Sequence, residues 1–158
     1  HVRSRRQRQM CIRDRSTRVR HMTPELRITD LIPSLQQLVD LYDSVGWLAY
    51  TRDPEALAAS VAGSQWLRSA WCGESLIGLI RILTDGHTIA YLQDILVHPE
   101  EQRTGVGKAL MAEAADAFSH VRQFVLITDD EERQQSFYRA CGFSTAAENN
   151  IHAFVKSQ

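Results

Sequence analysis

The stretch that decides the fold runs over residues 91–108 and reads Tyr91-Leu-Gln-Asp-Ile-Leu-Val-His-Pro-Glu-Glu-Gln-Arg-Thr-Gly-Val-Gly-Lys108. Its first half predicts a strand that stops at Pro99, and its second half predicts a glycine-spaced loop that opens a helix. The first N–H groups of a helix have no acceptor inside the helix, so they suit phosphate oxygens. The segment therefore predicts a phosphate-binding loop between a strand and a helix.

Other phosphate-binding loops fit this spacing poorly. A dinucleotide loop needs three glycines directly after the first strand of a parallel sheet, whereas only Gly105 and Gly107 are present. A P-loop needs Gly-Lys followed by Ser or Thr, but Lys108 is followed by Ala109. Glycine spacing alone is a weak signal, and an ordinary tight connection between strand and helix remains an alternative.

The neighbouring segments place this loop within a sheet. Strands are predicted at 65–72, 75–83 and 88–97, and the turn signals Gly73-Glu74 and Asp85-Gly86 make them an antiparallel meander. A helix over 105–120 and the apolar run 124–127 then complete a strand–helix–strand unit. Such a unit requires its two strands to be parallel, with a right-handed crossover.

The remaining elements are predicted from caps and periodicity. A strand covers 25–29, a helix capped by Asp30 with Pro33 in its first turn ends at Gly46, and a second helix starts at Asp53-Pro54. A last helix is capped by Asp129 or Asp130 and runs to Ala140, and a final strand at 151–155 closes the sheet.

Composition favours one globular domain. The chain has 158 residues with 44% hydrophobic and 23% charged content, and no apolar run approaches the roughly 18 residues of a membrane span. The three cysteines, Cys11, Cys72 and Cys141, lack metal-ligand spacing. We therefore expect a cytoplasmic protein with no metal and no membrane partner.

Charge divides the chain at residue 22. Residues 1–22 carry eight arginines and one acid, a net charge of +7, whereas residues 23–158 carry −8. A basic arm could bind nucleic acid. The alternative, which we favour, is a non-native or disordered tail, because Met10-Cys11-Ile12-Arg13-Asp14-Arg15 resembles translated adapter sequence. The predicted domain is 23–158, and nucleic acid is not expected as its partner.

A second motif makes the interpretation specific. Ser136-Phe-Tyr-Arg-Ala-Cys-Gly-Phe143 follows the predicted parallel strand, and its Tyr138 lies 31 residues after Gly107. Together with Gln102-x-x-Gly105-x-Gly107, this motif resembles the GNAT N-acetyltransferase family over nearly all of 23–158. The resemblance implies an α/β (α+β) fold: a mixed, mostly antiparallel sheet of six to seven strands flanked by four helices, with a central parallel strand pair.

The resemblance also implies a donor site for acetyl-CoA, used as a co-substrate. The strand of this family bulges where its main chain meets the thioester, near Leu96 or Val97, and the loop holds the pyrophosphate. The residues implied for binding acetyl-CoA are Leu96, Val97, Gln102, Arg103, Thr104, Gly105, Val106, Gly107 and Lys108.

Two side chains are implied for catalysis. Tyr138 matches the family tyrosine that protonates the departing sulfur, and a phenol with pKa ~10 is a reasonable acid for that thiolate. Asp94 is the candidate general base, because Gln93 stands where polyamine-type relatives carry a carboxylate. Alternatively, Asp94 holds the strand bulge or binds the ammonium group, and water takes the proton.

Aromatic residues are predicted on the acceptor side, namely Tyr42, Trp47, Tyr50 and Tyr91. Aromatic rings near carboxylates suit a cationic or aromatic amine, although Tyr42 and Trp47 could equally be core residues. We expect acetyl transfer to a small (aryl)alkylamine or polyamine-like acceptor. Alternatives are a protein N-terminal or lysine acetyltransferase and a non-catalytic acyl-CoA-binding sensor. A homodimer is left open.

Overall fold

The structure is a computed structural model that describes residues 24–158, so the predicted tail at 1–22 lies outside the described residues. The chain divides into a first unit that ends at Leu126 and a second unit that covers 127–158. Among residues 24–158, no helix is both long and apolar enough to span a membrane.

The first unit is a five-stranded sheet with helices on both faces. Its elements are β1 (Leu26–Thr29), α1 (Leu35–Ser44), α2 (Leu48–Thr51), α3 (Pro54–Ala62), β2 (Trp66–Cys72), β3 (Ser75–Thr84), β4 (Ile89–Val97), a 3-10 turn (Pro99–Glu101), α4 (Val106–Ala117) and β5 (Gln123–Leu126). The strands lie in the order β1-β2-β3-β4-β5. Neighbours from β1 to β4 are antiparallel and β4 pairs with β5 in parallel, which confirms the predicted meander and strand–helix–strand unit.

The first helix starts later than predicted. Ser34 caps α1 by accepting from the Gln37 backbone, and the Gln37 side chain accepts from the Ser34 backbone. This reciprocal pair satisfies two N–H groups at once, whereas Asp30 and Pro33 precede the helix. The predicted start of the next helix is confirmed, because Asp53 caps α3 through the Ala56 N–H at 3.1 Å.

Each face of the sheet has its own core. On one face, α1 and α3 pack against the sheet through Leu38, Leu41, Tyr42, Leu57, Val61, Leu67, Leu79 and Leu96. On the other face, the buried residues of α4 are Val106, Leu110, Met111 and Ala114. Both faces of the sheet are therefore covered, and β3 is its middle strand.

A bulge in β4 changes which residues face which core. Arg81 pairs with Asp94 but Ile82 pairs with Leu92, so Gln93 is an extra residue in β4. Paired residues share a face of the sheet. Asp94 and Leu96 therefore face α1, whereas Leu92 lies on the α4 face with Ile82.

Gly78 lets α4 lie close to β3. A Cβ atom at this position would be 3.2 Å from Val106 Cγ1, 3.2 Å from Leu110 Cδ1 and 3.3 Å from the Leu96 carbonyl oxygen. Helix α4 follows directly from the predicted phosphate loop. The small residue on β3 therefore sets the depth at which this helix and its first turn sit.

Gly78→Val is expected to reduce the free energy of unfolding by about 1–3 kcal/mol, because the added atoms overpack the contact with α4. Urea denaturation measures this loss. Ser75→Val, at an exposed position of the same strand, is the matched control and should change stability little. Equal stability of the two variants would contradict the close packing.

The second unit corrects two predictions about the sheet. It contains α5 (Glu132–Ala140) and a 3-10 turn (Ala147–Asn149). Residues 151–155 form no strand, and Phe154 is 95% exposed. Among residues 24–158 the sheet thus has five strands instead of six or seven, and its parallel pair lies at the edge instead of the centre. The alternating pattern at 151–155 is not enough to form a strand, because a strand also needs a neighbouring strand to pair with its backbone N–H and C=O groups.

Two smaller predictions about helices were also wrong. The N-cap of α5 is Glu131, whose side chain makes no capping hydrogen bond, and neither Asp129 nor Asp130 occupies that position. The single turn α2 adds a fifth helix to the four that were predicted. Leu48–Thr51 is too short for a periodic pattern to reveal it.

Candidate active site

The carboxyl half of β4 has one unpaired edge in the described part of the chain. The His98 N–H donates to the Ile77 carbonyl at 2.8 Å, so the backbone N–H of His98 is directed toward β3. Alternation along the regular register then directs the N–H groups of Ile95 and Val97 to the opposite edge. Since β5 pairs with β4 only as far as Leu92, these N–H groups face an open edge.

This geometry refines the predicted main-chain donor. The bulge lies at Gln93, and the register with β3 is regular at Leu96 and Val97. The expected bulge at Leu96–Val97 was therefore misplaced by a few residues. Leu96 pairs with Leu79 and directs its N–H to β3, whereas the Val97 N–H is on the open edge.

Gln102 fastens the loop to the end of this strand. Its side-chain nitrogen donates to the Val97 carbonyl at 3.0 Å. Thr104 Oγ1 donates to the Glu101 carbonyl at 2.5 Å, which closes the turn from within. In this structure both side chains therefore hold loop backbone, and the loop presents main-chain groups.

The loop ends in two residues with left-handed backbone. Arg103 has φ 63° and Gly105, the N-cap of α4, has φ 95°. The first backbone bond of α4 is made by the Ala109 N–H to the Gly105 carbonyl at 2.9 Å.

The first turn of α4 consequently has three N–H groups without acceptors inside the helix, those of Val106, Gly107 and Lys108. The Val106 side chain is buried, so only its backbone can contact a ligand. Arg103 and Lys108 are exposed beside these donors. Three N–H groups, the helix dipole and two cations make this turn suitable for a diphosphate.

A buried polar cluster lies on the α1 face of the sheet at the bulge. Asp94 Oδ2 accepts from Arg81 Nε at 2.5 Å and from the Tyr42 hydroxyl at 2.8 Å. Asp94 Oδ1 accepts from the Tyr50 hydroxyl at 2.7 Å. Arg81 also donates to the Ser60 carbonyl at 3.4 Å. The cluster therefore ties β3 and β4 to α1, α2 and α3.

The titration properties of the cluster follow from burial and from Asp94. Burial raises the pKa of Tyr42, and the charge and hydrogen bond of Asp94 raise it further. Burial also raises the pKa of Tyr50, and the hydrogen bond to Asp94 raises it further. Burial alone would lower the pKa of Arg81, but the hydrogen bond and charge of Asp94 outweigh this effect and raise it. Both tyrosines are thus neutral hydrogen-bond donors and Arg81 is a cation.

Aromatic rings surround the outer side of this cluster. Trp47 and Tyr50 are stacked with their centroids 5.9 Å apart, and Tyr42 meets Tyr50 edge-on at 5.1 Å. Trp47 and Tyr50 are half-buried, whereas Tyr42 has no exposed surface. Tyr42 is therefore a core residue that cannot contact an acceptor directly, and Trp47 and Tyr50 form a partly accessible surface.

The predicted catalytic residues lie in different units. Asp94 is 2% exposed and both carboxylate oxygens accept hydrogen bonds, which favours the alternative that it holds the bulge. Tyr138 lies on α5 of the second unit, half-buried between the edges of Phe137 and Phe143. Tyr91 is half-buried and pairs with Leu83.

Sequence reasoning missed Arg81. The available signal was a single cation within the apolar strand Leu79-Ile80-Arg81-Ile82, because a charged residue at a buried position requires a partner. No group of three or more His, Cys, Asp or Glu residues that could hold a metal ion occurs among residues 24–158.

Comparisons with known proteins agree with this architecture. The model of the acetyltransferase (GNAT) family matches residues 32–143. The fold and the loop thus define an acyltransferase class, and the chain belongs to the GNAT acetyltransferase family.

Individual relatives support the same assignment. The chain is 29% identical to the N-acetyltransferase ycf52 of Gracilaria tenuistipitata var. liui over 71% of this chain and 63% of that protein. It is similar to the GNAT family protein SP0256 from Streptococcus pneumoniae TIGR4, with TM-score 0.73, 29% identity and coverage of 84% and 96% of the two chains. The PaiA N-acetyltransferase from Thermoplasma acidophilum in complex with coenzyme A shares the fold, with TM-score 0.58, 20% identity and coverage of 73% and 87%. The chain spans 33–64% of the length of the curated relatives that it matches.

Proposed function

We propose that the chain transfers an acetyl group from acetyl-CoA directly to a primary amine. The observation that carries this proposal is the first turn of α4, where the N–H groups of Val106, Gly107 and Lys108 follow the left-handed Gly105. The donor site fits the pyrophosphate of acetyl-CoA because these N–H groups have no acceptor inside the helix. Arg103 and Lys108 would add charge-assisted contacts.

The open edge of β4 supports the chemical step of the proposal. The neutral amine attacks the thioester carbon, the new carbon–nitrogen bond forms, and the carbon–sulfur bond breaks. The Val97 N–H would donate to the carbonyl oxygen as negative charge develops on it. One fixed donor at such a position typically lowers the barrier by about 3 kcal/mol.

Tyr138 is proposed to supply the proton that the departing sulfur takes up. The support is its match to the family motif Phe137-Tyr138-Arg139-x-x-Gly142-Phe143. A phenol has a pKa ~10, which suits donation to a thiolate whose conjugate acid is near ~8.5. Asp94 is proposed as a positioning residue, because its oxygens are occupied by Arg81, Tyr42 and Tyr50. The proton of the amine would then leave through water.

The acceptor side is proposed to use Trp47, Tyr50 and Tyr91. The stacked pair of Trp47 and Tyr50 offers a flat, half-buried surface that suits an aromatic or alkyl amine. A protein N-terminus or lysine would need room for a peptide backbone beside this surface. Because the stacked pair suits such ligands, small amines are our first candidate acceptors, and we propose no metal cofactor.

Release of free CoA thiol from acetyl-CoA tests the function. Turnover is expected with at least one of 2-phenylethylamine, spermidine and a lysine-containing peptide. Preference for 2-phenylethylamine or spermidine would support the small-amine acceptor, and preference for the peptide would support the alternative. Binding of acetyl-CoA without turnover on any acceptor would contradict the proposed reaction and favour an acyl-CoA sensor.

A further inference from the structure

The hydrogen bonds around Asp94 fix the orientation of the Gln93 side-chain amide. The Asp94 carboxylate only accepts, so the Tyr50 hydroxyl must use its one hydrogen on Asp94 Oδ1, at 2.7 Å. The Tyr50 oxygen can then only accept from Gln93, whose side chain lies 3.2 Å away. Gln93 must therefore direct its NH2 group toward Tyr50. The amide oxygen Oε1 is then the terminal atom that does not bond to Tyr50.

The carbonyl oxygen of Gln93 is available for a ligand. The one hydrogen bond of the Gln93 side chain within residues 24–158 is the one that its NH2 group donates to Tyr50. The residue is half-buried, so the amide is partly accessible. Gln93 contacts Tyr50, which is one of the two stacked rings, so its carbonyl lies near the stacked pair of Trp47 and Tyr50. A hydrogen-bond acceptor of fixed orientation beside an aromatic surface suits a ligand with an N–H donor and an apolar body.

We infer that Gln93 Oε1 accepts an N–H of the acceptor amine and orients its nitrogen for attack. This inference rests on the proposed acetyl transfer and adds a specific binding residue to the acceptor side. The bulge supports the assignment, because it places Gln93 on the same face as Asp94. The Arg81–Asp94 pair behind it has no net charge.

A neutral acceptor suits a nucleophile that must lose its charge. A carbonyl binds the N–H of a neutral amine, whereas a carboxylate at the same position would stabilise the ammonium form and raise the pKa of the amine. Gln93 would therefore hold the amine without opposing its deprotonation. The titratable groups of the adjoining cluster are Arg81 and Asp94, which pair with each other at 2.5 Å, and the neutral hydroxyls of Tyr42 and Tyr50, which donate to Asp94.

Two variants test the inference with 2-phenylethylamine and spermidine as probes. Gln93→Met removes the acceptor atom and is expected to weaken amine binding to the CoA-bound protein about tenfold, measured by calorimetry, with the Kd of CoA unchanged. Gln93→Glu is expected to move the rising limb of the kcat–pH profile to higher pH, because the bound amine then keeps its proton longer. Gln37→Glu, which preserves the capping box and adds the same charge, is the control and should leave both readouts unchanged.

The outcomes separate this inference from the proposed function. Suppose that the wild type acetylates the amines. The role of Gln93 would then be overturned if Gln93→Met bound the amine within twofold of the wild-type affinity. It would also be overturned if the rising limb of the kcat–pH profile of Gln93→Glu did not shift. Wild-type protein that binds the amines without acetylating them would overturn the proposed function. The binding contrast between Gln93→Met and Gln37→Glu would then still decide the role of Gln93. Failure of the wild type to bind either amine would overturn the role of Gln93, and absence of thiol release with all three acceptors would overturn the proposed function.

Discussion

Arg81→Met is expected to reduce the free energy of unfolding by about 3–5 kcal/mol, because it leaves Asp94 as an uncompensated buried charge. Both partners are deeply buried, with side chains 7% and 2% exposed. The two tyrosine hydroxyls that remain on Asp94 are neutral and cannot replace the cation. Urea denaturation followed by tryptophan fluorescence measures the loss, since all three tryptophans precede Leu126.

Two further variants identify the cause of that loss. Arg68→Met breaks a more exposed ion pair with Glu113, whose groups are 3.6 Å apart. Including the contact of Arg68 with the Trp66 ring, this change should cost only about 1 kcal/mol. The double variant Arg81→Met/Asp94→Asn removes both charges and should be more stable than Arg81→Met alone. If the second substitution added to the loss, the buried charge would not be its source.

Tyr138→Phe is expected to lower kcat about 100-fold, because the departing sulfur would lose its proton donor while the ring remains. The phenylalanine preserves the edge contacts with Phe137 and Phe143. We therefore expect the melting temperature and the Kd of acetyl-CoA to stay close to those of the wild type. Steady-state kinetics with the best amine acceptor measures the effect.

The separate readouts make this test decisive for Tyr138. Full turnover of the variant would show that the sulfur receives its proton from another source. A large rise in the KM of acetyl-CoA with an unchanged kcat would indicate a binding role instead. A lowered melting temperature would place the effect in the packing of α5.

Much of the fold could be predicted because its signals are local. The meander between 65 and 97, the helix after Gly105 and the cap at Asp53 each depend on residues adjacent in sequence. The capping box of Ser34 and Gln37 was also local, but Asp30 offered a competing cap. The strand expected at 151–155 depended on a partner strand, and residue pattern alone does not supply one.

The candidate site likewise has parts that depend on local sequence and parts that depend on residues far apart in sequence. The geometry of the loop from Gln102 to Lys108 could be predicted, because it depends on glycine spacing and on the start of a helix. The polar cluster could not, because it joins Tyr42, Arg81 and Asp94 over separations of 13 to 52 residues. The orientation of the Gln93 amide depends on that cluster, so it too required the structure.

The extra residue in β4 has a consequence for how the protein can evolve. Burial alternates without interruption at Ala90, Leu92, Asp94 and Leu96, yet Leu92 belongs to the α4 face and Leu96 to the α1 face. Mutations on the α1 face can therefore remodel the surroundings of Gln93, and under the proposed acetyl transfer they would change acceptor choice. The layer that supports the loop and α4 would remain intact. Because of one inserted residue, the two faces of β4 can therefore come under separate selection.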